Sequence, residues 1–309
     1  MVSEPLGTSQ NGAAEPARLG SRLTPSCAGA HHALSTTTFI GIDLAWSPRN
    51  RSGAAVLRGD AAGAQLQDLA LLGRDAEIAA YIERHAGDGP AIVAVDAPLR
   101  VPNETGRRAC EAELQRVFGR YQAGPHPANR ALLAFDGVVR GEALVAALVR
   151  LGFAYTAEIA AGAPLRRVVE VFPHPASIAL FGLPRTLKYK KANQPDRRVE
   201  ALADWRRYQD YLRSLAGADP PLSGHEPFLS EDVAVLRGAA RKGYEDRADA
   251  LLCAYVALYA LRWGSSRCRT FGDLASGSVF TPLPEALWPH PLAPSPCHGE
   301  GESAENLEL

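Results

Sequence analysis

Residues 91–96 read AIVAVD, and Ala97 and Pro98 follow at once. A continuous apolar run this short, stopped by proline, suits a strand buried on both faces, the kind that parallel sheets use. Residues 38–45, TFIGIDLA, are a second candidate of the same type. There Ile40, Ile42 and Leu44 share one side, and Phe39, Gly41 and Asp43 share the other. Both runs lead into an aspartate, a residue depleted in strands. Burying an ionised carboxylate without a partner is costly, so such a residue is paired, bound to a metal or left at an open end. In an open sheet, ligands bind beyond the carboxyl ends of the parallel strands. Asp43 and Asp96 would meet there if their strands are parallel neighbours. The helical spacing of Ile78, Tyr81 and Ile82 within residues 74–85 supplies the crossover such a pair needs.

The rest of the chain fits an α/β sheet. Strand patterns over 53–58 and 66–72, separated by short turns, predict an antiparallel meander with the first strand. Residues 99–164 read as a helical insertion between the fourth and fifth strands. One helix is expected over 105–118, with Cys110, Leu114, Val117 and Phe118 on one face. A second is expected over 141–151, stopped at Gly152. Residues 166–172, RRVVEVF, return to strand and are ended by Pro173, His174 and Pro175. Glu170 shares a face with Val168 and Phe172. A glutamate in a β-branched run is either a site residue or an edge position open to water. Helices are expected over 199–215, with Trp205, Tyr208 and Leu212 aligned, and over 230–241, capped by Ser230. A short strand is expected over 278–281.

The late stretch 244–255, YEDRADALLCAY, reads as the start of a helix reaching about Trp263. Ala248, Leu251, Leu252, Tyr255 and Tyr259 recur at helical spacing, while Asp246 and Asp249 fall one turn apart. Two readings are open for these acids: they bind something positive, or they cap and solvate the helix start, where the dipole favours them.

Composition removes several classes. The formal net charge is −1, so the whole-chain signature of a nucleic-acid binder is missing, although a local patch remains compatible. The five cysteines, at 27, 110, 253, 268 and 297, form no CxxC pair. Neither a zinc site nor a disulfide framework is indicated, and a reducing cytosol fits. No run is long and apolar enough for a membrane span, and no signal-peptide pattern opens the chain. Residues 1–37 and 289–309 are aperiodic and rich in small residues and proline. They are expected to be a disordered leader and tail around a domain spanning 38–288.

Convergence of Asp43, Asp96, Glu170, Asp246 and Asp249 would concentrate negative charge strongly enough to demand protons or a cation. Oxygen donors with few histidines select a hard ion, Mg²⁺ or Mn²⁺. Three of the four lysines, Lys188, Lys190 and Lys191, lie together beside Tyr189. That run suits a phosphate backbone, and equally an ordinary solvated loop.

The order of elements, with aspartates on the first and fourth strands and on the last helix, resembles the ribonuclease H-like superfamily. More narrowly, the chain resembles the family called domain of unknown function 429, DUF429, a set of predicted nucleases. The segments carrying the resemblance are GIDLAW (41–46), VAVDAPL (93–99), RRACEAEL (107–114), VVEVFPHPA (168–176), LKYKK (187–191) and EDRADALLCAY (245–255). It implies a mixed five-stranded sheet flanked by helices, with metal-binding acids at Asp43, Asp96, Asp246 and Asp249. Glu170 is implied as a further catalytic acid. Glu111 falls in a matching segment without an assigned role, and His174 suits a structural hydrogen bond as well as a catalytic one. The activity implied is phosphodiester hydrolysis of DNA or RNA at a carboxylate-bound Mg²⁺ or Mn²⁺, in the cytoplasm. Lys188, Lys190, Lys191, Arg107 and Arg108 would hold the nucleic-acid backbone. Two other classes stay open. One is a sugar-kinase-like phosphotransferase, although no second sheet copy and no glycine-rich phosphate loop is found. The other is a non-catalytic binding module on the same fold.

Overall fold

A computed structural model describes residues 36–163, 166–191 and 194–289. The expected leader and tail lie outside these residues, apart from Thr36, Thr37 and Pro289.

The chain opens with the expected meander: β1 (Thr37–Asp43), β2 (Ser52–Asp60) and β3 (Gly63–Leu72), each antiparallel to the one before. Helix α1 (Asp75–Ala86) then returns the chain to β4 (Ala91–Asp96), which pairs with β1 in parallel. After β4 come α2 (Ala109–Phe118), a short helix at Arg130–Leu133, a small hairpin pairing Ala134–Phe135 with Val138–Val139, and α3 (Arg140–Arg150). Strands β5 (Ala154–Tyr155) and β6 (Arg167–Glu170) follow, then α4 (Pro173–Phe181), α5 (Arg198–Ser214) and β7 (Leu222–Ser223). The long helix α6 (Gly238–Trp263) leads to a hairpin of β8 (Cys268–Asp273) and β9 (Gly277–Pro282).

Among the described residues the main sheet has seven strands, in the order β5-β6-β4-β1-β2-β3-β7, and only β2 runs against the others. The two strands beyond the expected five are the edges β5 and β7. Each is two residues long, too short for alternation to mark it. β5 lies within the stretch read as an insertion, so that stretch also contributes to the sheet.

Strand alternation divides the core between the two faces. Ile40, Ile42, Val93 and Val95 pack with Ile78 and Ile82 of α1 and Leu144 and Leu148 of α3. Phe39, Leu57, Ile92 and Ala94 pack with Trp205 and Tyr208 of α5 and with α6. Asp43 and Asp96 continue the second set by register, so they stand on the α6 side. Helix α6 is buried nearly all round from Ala248 to Leu261. It lies close to the sheet because β1 and β2 present glycines to it. A Cβ on Gly41 would fall 1.9 Å from the Ala250 carbonyl oxygen, and one on Gly53 would fall 2.0 Å from that of Asp246.

Two expected boundaries are corrected. Pro173, His174 and Pro175 end the strand as expected, but they also begin α4, with Pro173 at the first helical position, where its missing N–H costs nothing. The separate helix expected over 230–241 does not form. Ser230 ends a short helix, Glu226–Leu229, and α6 already begins at Gly238. Asp246 therefore lies in the third turn of α6, which has no acidic residue in its first turn. The helix-start reading of Asp246 and Asp249 falls with that boundary. Among the described residues no helix is long and apolar enough to cross a membrane.

Candidate functional site

Asp43 and Asp96 are register partners at the ends of β1 and β4. Both are half-buried on the floor of a cleft of about 990 Å³. Neither carboxylate has a hydrogen-bond or ion-pair partner among the described residues. Asp246 of α6 lines the same cleft. The walls carry Arg49 and Arg51 from the β1–β2 loop, Lys188, Lys190 and Lys191 from the turn after α4, and Lys242 from α6. A carboxylate floor is thus enclosed by six cations.

The β1–β2 loop is held from across the fold. Arg140, at the start of α3, donates to the Ala45 carbonyl (2.7 Å) and Ser52 Oγ (3.3 Å) through Nη1, and to the Gly73 carbonyl (3.1 Å) through Nη2. Its Nε pairs with Asp75 at 2.5 Å. Arg51 donates to the Leu71 carbonyl at 2.9 Å. These contacts fix the segment that carries Trp46, Arg49 and Arg51 beside Asp43.

Asp249 lies behind the cleft wall with no exposed surface. Its Oδ1 accepts hydrogen bonds from the Tyr189 hydroxyl (2.7 Å) and the Tyr208 hydroxyl (3.2 Å), and its Oδ2 lies 2.7 Å from Lys190 Nζ. Burial would raise this carboxyl, but the Lys190 ammonium and the tyrosine hydroxyls outweigh burial and hold it below the usual range. Asp246 lies 2.7 Å from Lys242 Nζ, which also pairs with Glu245 at 2.7 Å. Asp43 has no paired cation among the described residues, and the pull of Lys190 on it is outweighed. Burial, then the Asp249 and Asp96 charges, push it well above the carboxylate range. Asp96 is raised to about 7, chiefly by burial, against the pull of Lys190. Lys190 is held well above its ordinary value because Asp249, Asp43, Glu245 and Asp96 together overcome its burial.

Among the described residues no three histidine, cysteine, aspartate or glutamate side chains gather closely enough to hold a metal ion. The reason is visible in the pairings: Asp246 and Asp249 each face a lysine. The open oxygen donors are those of Asp43 and Asp96. A Mg²⁺ ion is commonly held by one or two carboxylates, with water and substrate phosphate completing its shell, and this pair fits that mode.

The other residues singled out from the sequence stand at differing distances from this cleft. Glu170 is the register partner of Val95, so by alternation it faces the side of the sheet away from Asp43, yet it lines a smaller pocket together with Asp96 and its charge helps to raise that carboxyl. It is buried and accepts from Arg108 Nη2 (2.6 Å), Arg108 Nη1 (3.0 Å) and the Leu99 N–H (2.8 Å). Arg108 Nε donates to Glu111 at 2.8 Å, and Glu111 also accepts from the Ala128 N–H at 3.0 Å. Arg108, read as a backbone-holding cation, is therefore enclosed between two glutamates, and Glu111 gains a structural account. Arg107 is exposed and does not line the cleft. His174 does line it, with Nδ1 3.1 Å from Thr186 Oγ1. Burial lowers its pKa to about 3, so its ring is neutral near pH 7. Arg49, Arg51 and Lys242 were not singled out from the sequence. The signals were present: the two arginines follow GIDLAW by a few residues, and Lys242 precedes Asp246 by one helical turn.

A family model, described as protein of unknown function (DUF429), matches residues 41–273. No curated protein and no solved structure matches the chain.

Proposed function

The chain belongs to the DUF429 family, and we propose that it is a metal-dependent nuclease on a ribonuclease H-like sheet. The observation that carries this reading is the cleft itself: two unpartnered aspartates in register on its floor, with six lysine and arginine side chains on its walls. The strand order supports it. The five longer strands run β3-β2-β1-β4-β6 with only the second reversed, a mixed sheet of the kind the sequence resemblance implies.

A phosphodiester is the substrate this charge pattern suits. Lys188, Lys191, Arg49 and Arg51 hold phosphate oxygens and set the register of the strand in the cleft. Asp43 and Asp96 hold the divalent ion. When bound, that ion activates water and neutralises charge developing on the phosphate. Lys242 and Lys190 pair with Asp246 and Asp249, so the carboxyls left open to a cation, which would displace their protons, are those of Asp43 and Asp96. Arg140 keeps the cationic loop over the floor.

The same lysine pairings favour a second reading, a non-catalytic nucleic-acid binding module in which Asp246 and Asp249 are structural. A cleavage screen on labelled single strands, duplexes and branched junctions with Mg²⁺ or Mn²⁺ separates the two. The nuclease reading requires cleavage that falls about 100-fold or more in Asp43→Asn. Binding without cleavage supports the module.

A further inference from the structure

Lysine is rare in this chain: four of its 33 basic residues, and all four line the cleft. Arg49 and Arg51 line the cleft as well, and outside it the chain's cations of this kind are all arginines. The two are not interchangeable, because an ammonium is a compact point charge and a guanidinium is a planar fork. Lys190 exploits that difference. Its side chain is 38% exposed and reaches from the cleft to Asp249, whose side chain is 0% exposed. Apart from this 2.7 Å ion contact, Asp249 Oδ2 accepts no hydrogen bond among the described residues, where a buried carboxylate oxygen is thus directed at a single cation. The opposite oxygen is fixed by Tyr189, the residue next to Lys190, and by Tyr208. Within the same field stand Asp43, Asp96 and Glu245.

A two-ion phosphodiesterase places its cations roughly 3.5–4 Å apart, each held by shared carboxylates. Here the carboxylate on the late helix already has a cation, and that cation is part of the chain. We propose that the Lys190 ammonium occupies the place of a second divalent ion, so that the protein binds one such ion, at Asp43 and Asp96, and not two. The inference rests on the metal-dependent reading above and assigns Lys190 as the built-in counter-cation of Asp249. An arginine would not serve equally, since its fork would spread over the space a compact ion takes.

The test is calorimetric titration of Mn²⁺ into the full chain, with and without a short oligothymidylate. Wild type is compared with Lys190→Met, Lys190→Gln and Asp43→Asn. Melting temperatures are recorded alongside, with and without Mn²⁺. The proposal expects one ion in wild type and none in Asp43→Asn. It expects a second ion in each neutral Lys190 variant, with a Mn²⁺-dependent rise in melting temperature larger than in wild type. That rise remains measurable even if the variants are poorly stable without metal. Two ions in wild type, or one ion and no added thermal rescue in both Lys190 variants, would overturn this inference and leave the single-ion reading intact. No binding by any form, with or without oligonucleotide, would overturn both.

Discussion

A Cβ on Gly41 would stand 1.9 Å from the carbonyl oxygen of Ala250. This close approach lets α6 lie on β1 and brings Asp249 into the same field as Asp43, two residues beyond the glycine. Gly41→Ala must therefore push helix backbone from strand backbone, with no flexible side chain to give way. The expected loss is about 3 kcal/mol, at the upper end for overpacking. Equilibrium unfolding in urea measures it. An unchanged midpoint would mean that the helix is not seated as described.

Arg108 carries a different kind of load. Replacing it with methionine leaves Glu170 and Glu111 buried without their shared cation. Breaking a buried ion pair on one side costs about 3–5 kcal/mol. Arg107→Ala, one residue earlier and exposed, is expected to be silent. Glu170→Gln should lower stability and leave Mn²⁺ bound, because Glu170 is paired with Arg108 and is not a ligand of the ion, although its charge reaches Asp96. A loss of metal binding in Glu170→Gln would return that glutamate to the site.

One contribution to the pH dependence of stability comes from Asp96. Its folded pKa, about 7, lies above its ordinary 3.8, chiefly through burial. A carboxyl raised on folding contributes stability that is fully present below its unfolded pKa and lost as pH rises through its folded one. In metal-free buffer its contribution to the melting temperature should therefore fall from about pH 4 to about pH 7. Asp43 shifts in the same direction. Asp96→Asn is expected to flatten this part of the profile and to melt above wild type at the alkaline end. Thermal melts across the range check it, and parallel profiles for the two proteins would contradict it. His174 works the other way: burial lowers its ring to about 3, so its contribution falls as pH drops from about 6.5, where the unfolded ring takes up a proton, and the comparison with Asp96→Asn, which keeps His174, isolates the Asp96 contribution.

Much of this site was legible in the chain, for identifiable reasons. The runs ending at Asp43 and Asp96 are short, apolar and sharply stopped, so strand, burial and open end could all be read from them. The helix between them fixed the parallel pairing. Other features depend on contacts that periodicity does not carry. Proline marks the end of β6 and the start of α4 with the same residues. Helix α6 begins at a glycine, and its first turns lack the apolar stripe that made residues 244–255 stand out. Glu170 was visibly on the Val168 face, yet only the register with β4 places that face away from Asp43. The engagement of Asp249 by Lys190 joins residues 59 positions apart, which no local pattern reports.

The cationic rim should govern nucleic-acid affinity. Arg49→Ala, Lys188→Ala and Lys191→Ala are expected to weaken binding of a labelled single strand similarly for different sequences. Each lost phosphate contact should reduce the slope of log affinity against log salt by about 1. Fluorescence anisotropy at several salt concentrations measures this. Unaltered slopes would mean that the rim is not a phosphate track.

The most direct test of the central claim is metal-dependent cleavage by wild type, Asp43→Asn and Asp96→Asn in one assay, each shown to be folded by circular dichroism. Labelled single strands, duplexes and junctions are incubated with Mg²⁺, with Mn²⁺ and with a chelator. The account expects divalent-dependent cleavage by wild type, lost on chelation and reduced about 100-fold or more by either substitution. Wild-type protein that cleaves none of these substrates with either ion, or cleavage that survives both substitutions, would contradict it.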